Sequence, residues 1–125
     1  MPEQKITING ETYVLESSIQ TEERFVAPAK EYFGMKYCVI RTYSAGVHIG
    51  YLKRHEGQEV ELVNSRRLWR WEGAASLSQV AVDGVSNESK FCVVIPHLIL
   101  TDVIEIIQCS EKAQTILQGL KEWKE

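Results

Sequence analysis

Apolar and polar residues alternate along 5–15, KITINGETYVL, on both sides of Asn9-Gly10. That dipeptide tolerates the positive φ that a tight hairpin turn needs at both central positions, so the pattern predicts an N-terminal β-hairpin. Residues 16–34 lose the alternation: they are polar and charged at first, then carry Pro28 between two alanines and the aromatic pair Tyr32-Phe33. They read as a connector arm, partly helical, whose aromatics dock on a partner. Alternation returns at Tyr37. The segments YCVIRTY (37–43) and VHIGYL (47–52) are rich in β-branched and aromatic residues, and Ser44-Ala45-Gly46 between them fits a three-residue loop with glycine at the left-handed position. After a loop at 54–58, EVELVN (59–64) predicts a strand and residues 66–71 the next one, with Arg66, Leu68 and Arg70 on one face and Arg67, Trp69 and Trp71 on the other.

From Ala74 the period changes from two toward 3.6. Ala74, Leu77, Val80, Ala81 and Gly84 share one helical face, Ser76-x-x-Gln79 matches a capping box, and Gly84 is placed to end the helix, which is predicted over about 75–84. A loop at 86–89 leads to a short strand, KFCVVI (90–95), that Pro96 is expected to end. Residues 98–108 are nearly continuous Ile, Leu and Val, as a buried strand or a pair of bent strands would be. Ser110 then caps a helix predicted over 110–123, with Ala113, Ile116, Leu117, Leu120 and Trp123 as its apolar stripe. The sum is an α+β fold: an antiparallel sheet with two helices forming one domain over 35–125, preceded by a hairpin and arm over 1–34.

Composition narrows the function. The 125 residues are 44% hydrophobic and 25% charged, ordinary for one globular domain. A net charge of −3 argues against a protein that coats duplex DNA or an anionic membrane, so any anion site must be local. Three cysteines without C-x-x-C spacing, and no charged-then-apolar leader, point to buried thiols in a reducing cytoplasm. No apolar run approaches the roughly 18 residues of a membrane span.

Most catalytic signatures are missing. His48, His55 and His97 lack the i, i+4 spacing of a helical metal site, and no metal is expected. There is no phosphate-cradling glycine motif and no G-x-S-x-G elbow. Glu56, Glu59 and Glu61 resemble a carboxylate set but fall on a loop and an exposed strand face, where solvated charge is the expectation. What remains is RRLWRWEGAASLSQ (66–79). Planar cations and indoles on one pleat can sandwich a nucleobase, each stacked base being worth roughly 1–3 kcal/mol. Amide groups of Ala75 and Ser76 at the following helix start can receive a phosphate. Arg41 with Ser44 and Gly46 offers a second anion loop, while Asn87 and Phe91 close the pocket and Lys112 of the last helix faces it. Against this stands the plainer reading that alternating tryptophans are core and that arginine stems cover the sheet edge.

RTYSAGVHIGYL (41–52), NSRRLWRWEGAASLSQVAVDGV (64–85) and LTDVIEIIQCSEKAQTILQGLKEW (100–123) together resemble a family of small phage and prophage proteins that contains the first Thoeris anti-defence sponges. The resemblance implies a viral immune-evasion protein that does no chemistry and needs no cofactor. It would sequester glycocyclic ADP-ribose, the NAD-derived signal of the host's TIR-domain enzymes, and so keep the effector NADase silent. Some members also capture cyclic oligonucleotides at separate sites. The family fold is a β-sheet core with helices, assembled as dimers or higher oligomers with signal pockets between subunits, in the cytoplasm of the infected host. A sponge working at nanomolar strength needs about −12 kcal/mol, far more than one stacked base supplies, which also favours a pocket shared by two chains. The alternative is a phage interaction or single-stranded nucleic-acid-binding module using the same aromatics on an open sheet. A third reading makes residues 66–71 pure core of a structural virion component.

Overall fold

A computed structural model describes residues 26–123; the predicted 5–15 hairpin and residues 16–25 lie outside them. Strands β1 (Lys36–Thr42), β2 (Val47–Glu56) and β3 (Glu59–Arg70) form an antiparallel meander, followed by helix α1 (Leu77–Asp83), strands β4 (Lys90–Leu100) and β5 (Val103–Gln108), and helix α2 (Glu111–Gln118). The fold is α+β, with one five-stranded antiparallel sheet in the order β4-β3-β2-β1-β5.

Several predicted boundaries move. The two strands expected at 59–64 and 66–71 are one 12-residue strand bent at Asn64, whose φ is +50°. Asn64 and Ser65 together face Gly50, a β-bulge that re-aims every later side chain of β3. Leu62 therefore faces one side of the sheet with Val60 and Leu100, while Leu68, also even-numbered, faces the other with Ile49 and Phe91. Pro96 does not end β4: the strand lies at the sheet edge, where a missing N–H is tolerated. Residues 98–108 are two strands joined at Thr101-Asp102. Helix α1 begins two residues later than predicted, and α2 stops at Gln118, so Trp123 does not belong to its stripe.

The β4–β5 connection shapes the whole sheet. These strands occupy opposite edges, about 19 Å apart if five strands lay flat at the usual spacing. Three residue steps from Leu100 to Val103 reach only about 11 Å. The sheet must curl until its edges meet at this end, and the junction is bonded: Val103 N–H donates to Gln58 O (3.0 Å) and Tyr43 N–H to Asp102 O (3.0 Å). Inside the curl lies a core of Cys38, Ile40, Val60, Leu62, Leu100 and Val103. On the other face the helices press Val80, Ala81, Ala113 and Leu117 onto Tyr37, Val39, Ile49, Leu68 and Phe91. Both faces of β1 are thus covered, which accounts for the unbroken apolar run Tyr37–Ile40. Residues 26–34 pack on this second core through Ala29, held by Ala29 N–H to Cys109 O and Glu111 N–H to Ala27 O.

Gly50 is required where β2 passes the bulge. A Cβ there would lie 2.7 Å from the Ser65 Cα and 2.6 Å from its Cβ, and Ser65 has no room to retreat because it is fully buried. Gly50→Ala is expected to cost about 1–3 kcal/mol by overpacking, read as a lower midpoint in urea unfolding with an unchanged m-value; an unaltered midpoint would place the strand register elsewhere.

Candidate functional site

Antiparallel pairing outward from the Gly57-Gln58 turn sets Val47 opposite Leu68 and His48 opposite Arg67. The β1–β2 loop is thereby carried to the end of β3. The result is a groove of about 510 Å³ lined by Ser44, Ala45, Gly46, Val47, Arg67, Leu68, Trp69 and Trp71. Five of the predicted site residues, Ser44, Gly46, Arg67, Trp69 and Trp71, meet there.

The loop is braced from outside. Asp102 accepts hydrogen bonds from the Ser44 N–H (2.8 Å) and the Ser44 hydroxyl, which hold its carboxyl below the usual carboxylate range. The Thr42 hydroxyl donates to Gly46 O (2.7 Å) and accepts from Ala45 N–H (2.8 Å), and Gly46 takes φ +87°, the left-handed conformation expected for it. Buried His48 contacts Ala45 O through Nε2 (2.9 Å); desolvation holds its imidazole below the ordinary pKa, with Arg67 adding to the effect.

Arg67 is exposed and, among the described residues, makes no ion pair and no side-chain hydrogen bond. The other described arginines have partners: Arg41 with Glu105, Arg54 with Glu56, Glu59 and Glu61, and Arg70 with Glu72, while Arg66 is buried against backbone carbonyls. Trp69 is 62% exposed and stacks on Trp123 with ring centroids 6.1 Å apart and planes 19° apart. It is not core. Trp71 lies beyond the strand, so simple alternation no longer governs it; half-buried against the helix-side core, it donates from Nε1 to Ala74 O (3.3 Å).

The other predicted residues lie elsewhere. Phe91, 1% exposed, is core beneath the sheet and reaches no ligand surface. Ala75 and Ser76 do not line the groove: the Ala75 N–H donates to Gln79 Oε1 (2.7 Å), Ser76 Oγ accepts from Gln79 N–H (3.2 Å), and α1 has only seven residues. The helix's own cap thus takes one of the two amides assigned to an anion, that of Ala75. Arg41 does not line the groove; it is exposed and pairs with Glu105 (3.8 Å) on the adjacent strand β5. Lys112 pairs with Asp83 at the end of α1 (3.4 Å) and builds no wall of the groove. Asn87 lines a larger cleft of about 790 Å³ with Arg70, Glu72, Lys90, Glu122 and Trp123, where carboxylates offset the cations. The Trp69–Trp123 stack joins cleft and groove, because each ring lines one of them.

Sequence reasoning placed Ala45 in the candidate anion loop with Ser44 and Gly46 but missed Val47 and Leu68 in the groove, Asp102 behind its loop and Trp123 beside Trp69. Counting the hairpin register outward from Gly57 would have found Val47 and Leu68. Trp123 arrives only because the chain after α2 returns along β4, its N–H donating to Phe91 O (2.7 Å). Glu56, Glu59 and Glu61 form a charged surface network through Arg54, with His97 and then Arg54 lowering the Glu61 pKa. Burial raises the Cys38 thiol to about 11 and Cys109 to about 12, so both stay protonated near neutrality; Cys92 is half-buried rather than buried.

A family model described as a domain of unknown function (DUF6948) matches residues 35–117. The chain belongs to this family. Its matched segment runs from the residue before β1 to the last turn of α2 and contains the whole groove. No curated protein and no solved structure matches the chain. Among the described residues no helix is long and apolar enough to cross a membrane.

Two measurements test the loop architecture. Asp102→Ala should raise the hydrogen-exchange rate of the Ser44 amide several-fold, since that N–H loses its acceptor, and should leave the α2 amides protected. The depressed His48 pKa means that the unfolded chain binds the proton more readily. Its contribution to stability is complete above about pH 6.5 and is lost as pH falls below that value. His48→Gln should flatten the stability–pH slope just below about pH 6.5, measured by urea titration.

Proposed function

We propose that the chain is a nucleotide-binding protein that captures its ligand without altering it, and that the groove between the 44–46 loop and the end of β3 is the capture site. The observation that carries this reading is an exposed Arg67, unpaired among the described residues, beside two partly exposed indoles, with a braced backbone loop opposite. An uncommitted guanidinium supplies charge for a phosphate, and the indole faces supply stacking for a base. Two buried, protonated thiols and a histidine whose Nε2 is already held by Ala45 O do not compose a nucleophile–base pair at the groove. That favours binding over turnover.

The ligand class we propose is the glycocyclic ADP-ribose type of immune signal, with cyclic di- or trinucleotides as further candidates. The reading follows the likeness of residues 41–52, 64–85 and 100–123 to the Thoeris anti-defence sponges. The protein would then act in the cytoplasm of an infected bacterium and deny the signal to its effector. The groove is open, and one stack with one ion pair falls several kcal/mol short of nanomolar capture. A second copy closing over it would supply the missing enclosure, so the working form is a dimer or higher oligomer.

Calorimetric titration with glycocyclic ADP-ribose, followed by heat denaturation and chromatography of the released ligand, tests the proposal. Intact ligand recovered in stoichiometric amount is the expected outcome; a cleaved product identifies an enzyme instead. Trp69→Ala should weaken binding about tenfold to a hundredfold with little change in unfolding midpoint, because the ring is largely in solvent. Binding to short oligonucleotides that decays steeply with salt, with none to the cyclic signal, would favour the single-strand-binding alternative.

A further inference from the structure

Arg66, the neighbour of Arg67, points to the opposite face of β3 and is 4% exposed. Its Nε donates to Cys92 O (3.2 Å), its Nη1 to Leu117 O (3.1 Å), and its guanidinium carbon sits 4.8 Å from the centre of the Phe91 ring. No carboxylate forms an ion pair with it among the described residues, and the buried Nη2 has no hydrogen-bond partner. Glu122 acts on it only through space, its Oε2 accepting from Val94 N–H (3.3 Å). An enclosed cation with an idle donor and no ion-paired carboxylate among the described residues is costly, and proteins rarely retain one without a use.

Arg66 lines a pocket of about 310 Å³ with Tyr32, Tyr37, Tyr51, Asn64 and Gln118, which shares no residue with the tryptophan groove. The three tyrosine rings are clustered, Tyr51 lying 4.9 Å from Tyr37 and 5.2 Å from Tyr32 by ring centroids. Tyr51 Oη already accepts from Gln118 Nε2 (2.8 Å) and Gln114 Nε2 (3.2 Å), so its proton is oriented away from them and left to donate. No carboxylate side chain lines the pocket.

We propose that this pocket is a binding site for a small organic monocarboxylate, its carboxylate taken by Arg66 and the tyrosine hydroxyls and its apolar body by the tyrosine rings. One buried positive charge among neutral donors matches one negative charge. A phosphate dianion would keep a full charge uncompensated in a desolvated site. The aromatic walls favour a ligand with a ring or short hydrocarbon body over a bare inorganic ion.

The test uses the full chain with ¹⁵N-labelled arginine and follows the Arg66 Nε–H resonance while adding benzoate, acetate or inorganic phosphate at pH 7.5. A saturable shift with benzoate, tighter than with acetate and absent with phosphate, is expected. No saturable shift with benzoate, or phosphate binding as tightly, overturns the proposal. Arg66→Gln is liable to unfold the protein, so the decisive variant is Tyr32→Phe, which removes one hydroxyl from a partly exposed ring. It should weaken benzoate at least about fivefold with the fold intact; unchanged affinity rejects the hydroxyl-lined site. Trp69→Ala should leave benzoate binding untouched, which keeps this result separate from the fate of the nucleotide reading.

Discussion

A two-residue link between strands at opposite edges of one sheet is the constraint on which the rest of the molecule depends. Thr101 and Asp102 cannot span a flat five-stranded sheet, so the sheet coils, and coiling creates an interior for Ile40, Val60, Leu62 and Leu100 without a second layer of structure. The same link delivers Asp102 to the β1–β2 loop, where its carboxylate fixes Ser44. One connection therefore closes a core and orders one wall of the groove. Coiling also leaves the opposite face free for the two helices, which is how a chain of this length sustains two cores.

The bulge at Asn64 is the complementary device. Coiled strands need local changes of twist, and an extra residue opposite Gly50 supplies one at the cost of exchanging which side chains face the helices. Without that exchange, the parity that buries Leu62 inside the curl would send Leu68 inside as well and turn Arg66 away from α2. The groove inherits its geometry from this step, because the side chains of Arg67 and Trp69 are aimed by the register that the bulge resets.

Much of this was legible in the residues. Strand positions, the left-handed Gly46, the Ser76 and Ser110 caps and the α+β class follow from periodicity and turn chemistry, which act over a few neighbours. The gathering of Ser44, Gly46, Arg67, Trp69 and Trp71 was readable too, since a hairpin register is set by its turn. What was lost depends on distant partners. Pro96 resembles a strand breaker until β4 is known to be an edge, and Phe91 resembles a pocket wall until the bulge turns its neighbour Leu68 toward the helices. Ala75 and Ser76 resemble an anion seat because a sequence displays free amides at a helix start; here the nearby Gln79 side chain answers one of them.

The adjacent arginines show how the same residue type acquires different physics from pleat alone. Arg67 faces solvent, where its charge is hydrated and cheap to maintain, and where a ligand can exchange with water at little cost. Arg66, one position away, is enclosed beneath α2 with carbonyl partners for two of its nitrogens and none for the third. A pair of arginines in a sequence suggests one basic patch, but a strand divides them between two faces 180° apart. The two residues therefore cannot serve one ligand. An anion held at Arg67 gains from stacking at an open surface, whereas one held at Arg66 gains from relieving a buried charge. For that reason the two sites should differ in salt dependence: screening weakens the exposed contact far more than the enclosed one.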